Sequence, residues 1–192
     1  MGGESDLHKY LKLLAMIYLD EHGCFGTATE VYVRRKYDEL LSPLDNKQII
    51  DVVGVGVKPI MVVDKIYADG YKSHRKIGEE IVLRGIEVKV SRADFKNGFV
   101  ASGCNYNYIL APMGMLKKSE IPKGVGFLEF DPTWKYRGQR LQITKRPRYK
   151  PIDEFYITKI RHGLAQREHN TLMVVVRDWA KGQAETHRTT TS

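Results

Sequence analysis

Residues 85–95 read GIEVKVSRADF, and the order of residue types within them decides the fold. The first half extends an apolar, β-branched run beginning at Glu80 (EIVLRGIEVKV, 80–90), the pattern of a strand. A strand's period of two puts Glu87 and Lys89 on one face and Val88 on the other. The second half starts a helix: Ser91 is followed three residues later by Asp94, just before an apolar position. Upstream, Ile49–Val57 (IIDVVGVGV) is another apolar strand with one acid inside it, Asp51. An ionised carboxylate in an apolar strand is costly unless it is paired or binds a metal. If the two strands pair, Asp51, Glu87 and Lys89 converge. Two carboxylates and the main-chain carbonyl of Val88 then make a hard oxygen site suited to Mg²⁺, with Mn²⁺ able to substitute and waters completing the shell. The alternative for the same residues is a buried Asp–Lys or Glu–Lys ion pair, or strands with one solvated face.

Outward from these strands, Leu7, Tyr10, Leu11, Leu14, Ala15, Ile17 and Tyr18 recur at helical spacing. They predict an amphipathic helix over 6–21, ended by Gly23. Thr29–Val33 (TEVYV) alternates as a half-buried strand, with Glu30 at its start. Residues 34–48 read as a long polar connection with a helical turn around 37–41, 59–67 as a strand, and 69–78 as a mobile basic loop. Downstream, Asn105–Leu110 (NYNYIL) and Gly124–Phe130 (GVGFLEF) are strands, Met113–Ser119 is a short helix or turn, and Leu141–Thr144 is an edge strand before Pro147. Two C-terminal helices are expected over 152–168 and 171–181, followed by a frayed tail. The sum is a mixed α/β domain over 1–150 with a helical extension, 151–192, packed on the same domain.

A chain of 192 residues can bury a core without disulfides, and Cys24 and Cys104 make neither a disulfide framework nor a zinc site. Free thiols, no apolar run of membrane length and no basic-then-apolar leader predict a cytoplasmic protein with no membrane partner. The net charge of +8 points to a polyanion. It is unevenly spread: residues 1–131 carry 18 basic and 18 acidic groups, residues 132–192 carry 13 and 5.

Within that basic third, residues 134–150 (WKYRGQRLQITKRPRYK) hold seven Lys and Arg, no acid, and Trp134, Tyr136 and Tyr149. Lysines and arginines such as Lys145, Arg146 and Arg148 contact phosphates, and aromatic rings stack on exposed bases. The same pattern also suits edge strands that turn charge outward against aggregation. Arg92 and Lys96 sit in the first turns of the helix after Ser91, where a helix start and basic side chains suit a phosphate. Asp94 is accounted for as the capping partner of Ser91. Gly54-Val-Gly56 lacks the third glycine of a dinucleotide fingerprint, no P-loop or H-E-x-x-H occurs, and the six histidines form no close ligand pair.

The run GIEVKVSRADF (85–95), the strand NYNYIL with Ala111-Pro112, IPKGVGFLEFD (121–131) and ITKRP (143–147) together resemble the PD-(D/E)XK nuclease superfamily, and within it the MmcB-like branch of DNA-repair nucleases. TEVYV and IIDVVGVG fit that family's Glu-bearing and Asp-bearing strands, and the resemblance spans about residues 7–148. Ile50 stands before Asp51 where the superfamily's name has Pro. The resemblance implies a restriction-endonuclease-like core: a central mixed β-sheet flanked by helices. Asp51 and Glu87 would bind the divalent metal, Lys89 would be the catalytic lysine, and Glu30 an additional acid at the metal or water. It implies hydrolysis of DNA by an activated water, leaving a 5′-phosphate and a 3′-hydroxyl, with other repair or replication proteins as partners and a homodimer allowed. Two alternatives stay open: a catalytically silent nucleic-acid-binding protein assisting a repair or phage enzyme, and an RNA-processing enzyme.

Overall fold

Helix α1 (Asp6–Glu21) begins at Ser5, whose hydroxyl accepts the His8 backbone N–H at 3.3 Å. It ends against Gly23, whose φ of +83° is the left-handed conformation glycine takes without steric cost. Its buried stripe is Leu11, Leu14, Ala15, Tyr18 and Leu19, and Lys12 is buried with them. Each fully buried leucine of this kind contributes about 1.5–3 kcal/mol. The computed structural model describes residues 5–34, 47–98, 103–133, 140–152, 154, 157, 158 and 160–166. The expected turn at 37–41, the aromatic residues Trp134 and Tyr136 and the helix at 171–181 lie outside the described residues.

Six strands follow α1 in the order β1 (Cys24–Arg34), β2 (Lys47–Ile66), β3 (Lys72–Val88), β4 (Tyr106–Pro112), β5 (Gly126–Phe130) and β6 (Leu141–Lys145). They form one mixed sheet in that spatial order, antiparallel except for the parallel pairs β3–β4 and β4–β5. Between β3 and β4 stands a short helix, α2 (Arg92–Lys96). The protein is thus α/β with a six-stranded mixed sheet and a few helices.

Strand alternation sends two sets of apolar side chains to opposite faces of this sheet. Val52, Ile86, Val88, Tyr108, Leu110, Leu128 and Phe130 pack under α1. On the other face Val53, Val55 and Leu83 pack with Ile160 and Leu164 of the C-terminal segment, so that segment joins the same core. Ile109, Ala111 and Phe127 pack there with Leu116, Ile121 and Val125 from the connection before β5.

One prediction is corrected. Residues 72–78, expected as a mobile loop, belong to β3, which pairs with β2 from Ile66↔Lys72 inward. Beyond Gly56 and Val82, β2 and β3 leave the body of the sheet as a two-stranded ribbon, because β1 pairs only as far as Gly56 and β4 begins at Arg84. The ribbon buries almost nothing: Met61, Val63, Ile66 and Tyr71 are 48%, 48%, 67% and 65% exposed. A strand with both faces wet leaves no alternating hydrophobic signature in its sequence.

Candidate active site

The ladder explains why the acids meet. In the antiparallel register Val52 faces Ile86, so the next step outward sets Asp51 beside Glu87. On the other flank Thr29 faces Val52 and Val31 faces Ile50, which leaves Glu30 across from Asp51. Three acids from three strands therefore stand in one row across β1, β2 and β3.

The row is kinked. Ala28 and Val31 share one core cluster, as do Ile50 and Val53. A spacing of three replaces the usual two on both strands, and alternation slips at Glu30 and Asp51. Glu30 has φ +54°, the left-handed region that costs a side-chain-bearing residue about 1 kcal/mol or more. The slip lets the Asp51 carboxylate meet α1 while staying at the β3 backbone. Its Oδ2 accepts the Val88 N–H at 2.9 Å and lies 3.6 Å from His8 Nε2, and its Oδ1 lies 3.4 Å from Lys12 Nζ.

Two buried lysines are interleaved with the acids. Lys12 Nζ donates to Glu30 Oε1 at 3.3 Å and so bridges Glu30 and Asp51. Lys89 Nζ lies 3.4 Å from Glu87 Oε1 and 3.3 Å from Asp94 Oδ1. Each lysine is 6% exposed, so each ammonium depends on these carboxylates for its solvation. Burial, and after it the charge of Asp51, pushes the Glu87 carboxyl up to about 7, with Lys89 opposing the shift.

Asp51, Glu87, Lys89 and Glu30 are thus brought together, while the Val88 main chain takes part through its N–H to Asp51. Asp94 does more than cap. Ser91 Oγ accepts the Asp94 N–H at 3.0 Å as expected, but the Asp94 carboxylate turns to Lys89 and the Val90 N–H. Lys12 and His8 were missed by sequence reasoning. The signal was there, because Lys12 falls inside the apolar stripe of α1 and His8 lies one turn before it on the same face.

The expected phosphate contacts fare differently. Arg92 is committed to Glu120 at 2.5 Å and to the Met115 carbonyl at 2.7 Å. Lys145 donates to the carbonyls of Ile121 and Pro122 at 2.7 and 2.9 Å, which anchors the connection before β5. Lys96, Arg146 and Arg148 are exposed.

Among the described residues no three His, Cys, Asp or Glu gather closely enough to hold a metal ion by themselves. The donor set nevertheless suits a hard cation. Four carboxylates (Glu30, Asp51, Glu87 and Asp94) face two ammonium groups, and carboxylate oxygens are the donors such a cation takes.

No family model matches this sequence, and no curated protein matches it. Its fold is similar to that of a solved structure, the SPO1766 protein of unknown function from Silicibacter pomeroyi. The two are 17% identical with a TM-score of 0.52, over 84% of this chain and 85% of that chain. Among the described residues, no helix is long and apolar enough to cross a membrane.

Proposed function

We propose that this protein is a metal-dependent phosphodiesterase acting on DNA, built on a restriction-endonuclease-like core and resembling the MmcB-like branch of the PD-(D/E)XK nucleases. The observation that carries the reading is the row of Asp51 and Glu87 on neighbouring strands with the buried Lys89 beside them.

In this reading Asp51 and Glu87 hold one Mg²⁺, or Mn²⁺ in its place, with the Val88 carbonyl as the third donor. The ion, when bound, supplies charge against the scissile phosphate and lowers the pKa of a water. Lys89, steadied by Asp94, orients the attacking water and meets the charge that develops on the phosphate. Lys12 keeps the Asp51 carboxylate aimed between α1 and β3. Glu87 must be ionised to serve as a ligand, and its position near neutrality makes that state sensitive to pH. Exposed Arg146 and Arg148 hold the backbone of the bound strand.

Incubation with Mg²⁺ or Mn²⁺ and a panel of single-stranded, nicked, flapped and branched DNA tests this. The expected outcome is cleavage that Asp51→Asn or Glu87→Gln lowers on the order of 100-fold or more, about 2.7 kcal/mol of barrier, while DNA binding persists. One observation favours the silent DNA-binding alternative: Lys12 and Lys89 already neutralise part of the acid row. Binding without cleavage of any substrate in the panel selects that alternative, and a strong preference for RNA selects the RNA-processing one.

A further inference from the structure

The C-terminal half of α1 covers a second feature that the acid row does not use. A cavity of about 370 Å³ lies there, walled by Tyr18 and His22 of α1, Arg84 of β3, Tyr106 and Tyr108 of β4, and Arg146 just after β6. Its volume falls in the range of pockets that hold small molecules, about 300–1,000 Å³.

The chemistry of its walls is narrow. Arg84 and Tyr106 are register partners on one sheet face, and Tyr108 is two residues further along that face. The Arg84 guanidinium lies 5.6 Å from the centre of the Tyr106 ring, and its Nη1 donates to Cys24 Sγ at 3.6 Å. Among the described residues, neither Arg84 nor Arg146 is paired with a carboxylate. Burial pushes the Tyr18 and Tyr108 phenols up, so both remain hydroxyl donors at neutral pH. His22 stacks on Tyr18 with ring centres 4.0 Å apart and planes 26° apart.

The backbone has made room for these walls. A Cβ at Gly56 would stand 2.6 Å from Arg84 Nη1 and 2.6 Å from the Gly23 carbonyl oxygen. A Cβ at Gly126 would stand 2.6 Å from Tyr108 Cδ1 and 3.0 Å from Pro147 Cδ. Two different strands are glycine where the cavity walls lean on the sheet.

Aromatic faces beside guanidinium forks are what a nucleobase and its phosphate require. We propose that this cavity binds one nucleotide unit, its base against the partly exposed Tyr106 and its phosphate on Arg84 and Arg146. The unit has two sources, a free mononucleotide or one residue of a bound strand, and only the second rests on the proposed function. The helical rise from Lys12 to His22 sets the cavity about 15 Å from the acid row. That is about four nucleotides at the duplex rise of 3.4 Å.

Titration of the full chain with 5′-deoxyadenosine monophosphate, deoxyadenosine and inorganic phosphate, read by calorimetry, tests the proposal. The nucleotide is expected to bind at least about tenfold tighter than either part alone. Arg84→Gln is expected to cost at least about tenfold, and Arg84→Lys less. Ile143, 43% exposed, also lines the cavity, so Ile143→Trp fills it without touching the core and is expected to abolish nucleotide binding. No nucleotide binding, equal binding of phosphate alone, or undiminished binding by a folded Ile143→Trp protein overturns the proposal. A short single-stranded oligonucleotide that displaces the nucleotide assigns the cavity to a strand, and one that does not assigns it to the free nucleotide. Nucleotide binding with no DNA cleavage would leave the cavity assignment standing and remove the nuclease reading; cleavage without nucleotide binding would do the reverse.

Discussion

The two ends of α1 overlie opposite chemistries. At its first turns His8 and Lys12 meet the carboxylates of Glu30 from β1 and Asp51 from β2. At its last turns Tyr18 and His22 overhang two arginines and two tyrosines. One end is crowded with negative charge that lysines only partly offset; the other holds guanidinium groups with no described carboxylate. A single helix can cover both because Glu30 and Asp51 reach the lysine of its early turns while Arg84, on the α1 face of β3, lies by its last. The contrast teaches that opposite charges are separated along one helix, carboxylates by its start and guanidinium groups by its end, and the net +8 hides both.

The largest way to break the comparison is at Lys12. Lys12→Met leaves Asp51 and Glu30 without the buried ammonium that bridges them, and is expected to cost about 3 kcal/mol at pH 7 by urea unfolding. A cost below about 1 kcal/mol would mean that the acid row does not depend on its lysines.

Glu87 sharpens the same end. Its folded carboxyl is raised from 4.5 to about 7, so the folded state keeps a proton that the unfolded chain has lost. Ionisation of Glu87 therefore costs stability progressively as pH rises from 4.5 through 7, by up to about 3 kcal/mol above that window and by nothing below it. Glu87→Gln removes the penalty. The stability difference between variant and parent is expected to grow in the variant's favour from pH 4 to pH 8, read as Tm at each pH, and a pH-independent difference would contradict the burial of that carboxyl.

The smallest effect belongs to the other end. Gly56→Ala forces a methyl against the Gly23 carbonyl and Arg84, with an expected cost of about 1–3 kcal/mol and weaker nucleotide binding. Gly78→Ala is the control. Its Cβ would meet only Ile60 Cδ1 at 3.7 Å, an ordinary contact, and an effect within about 0.5 kcal/mol is expected.

Much of this was legible in the sequence. The spacing of apolar residues gave α1 its limits, 6–21, because a buried stripe repeats wherever a helix lies on a sheet. Asp51 and Glu87 stood out because an acid inside an apolar strand needs a reason. Glu30 was legible as a strand start and, through the resemblance, as an added acid, but its approach to Lys12 was not, since its +54° φ belongs to the pairing of two strands and not to its neighbours in the chain. Lys12 carried its signal in its place within the leucine stripe, but what it pairs with was not legible until the opposing acids of β1 and β2 were in view. Arg84 and the two tyrosines lie on segments distant in sequence, and only the parallel register of β3 and β4 sets them side by side.

The ribbon formed by the outer halves of β2 and β3 has a consequence for motion. Among the described residues its amides are held by one ladder, no helix lies over either face, and neither outer edge is paired. Such a ribbon opens without disturbing the rest of the molecule, because few apolar contacts are lost when it does. Amide hydrogens from Met61 to Arg75 should exchange with solvent through local opening, while those of Val52, Ile86 and Leu110 wait for global unfolding. The chain therefore carries a semi-independent arm whose opening leaves the geometry at Asp51 and Arg84 in place.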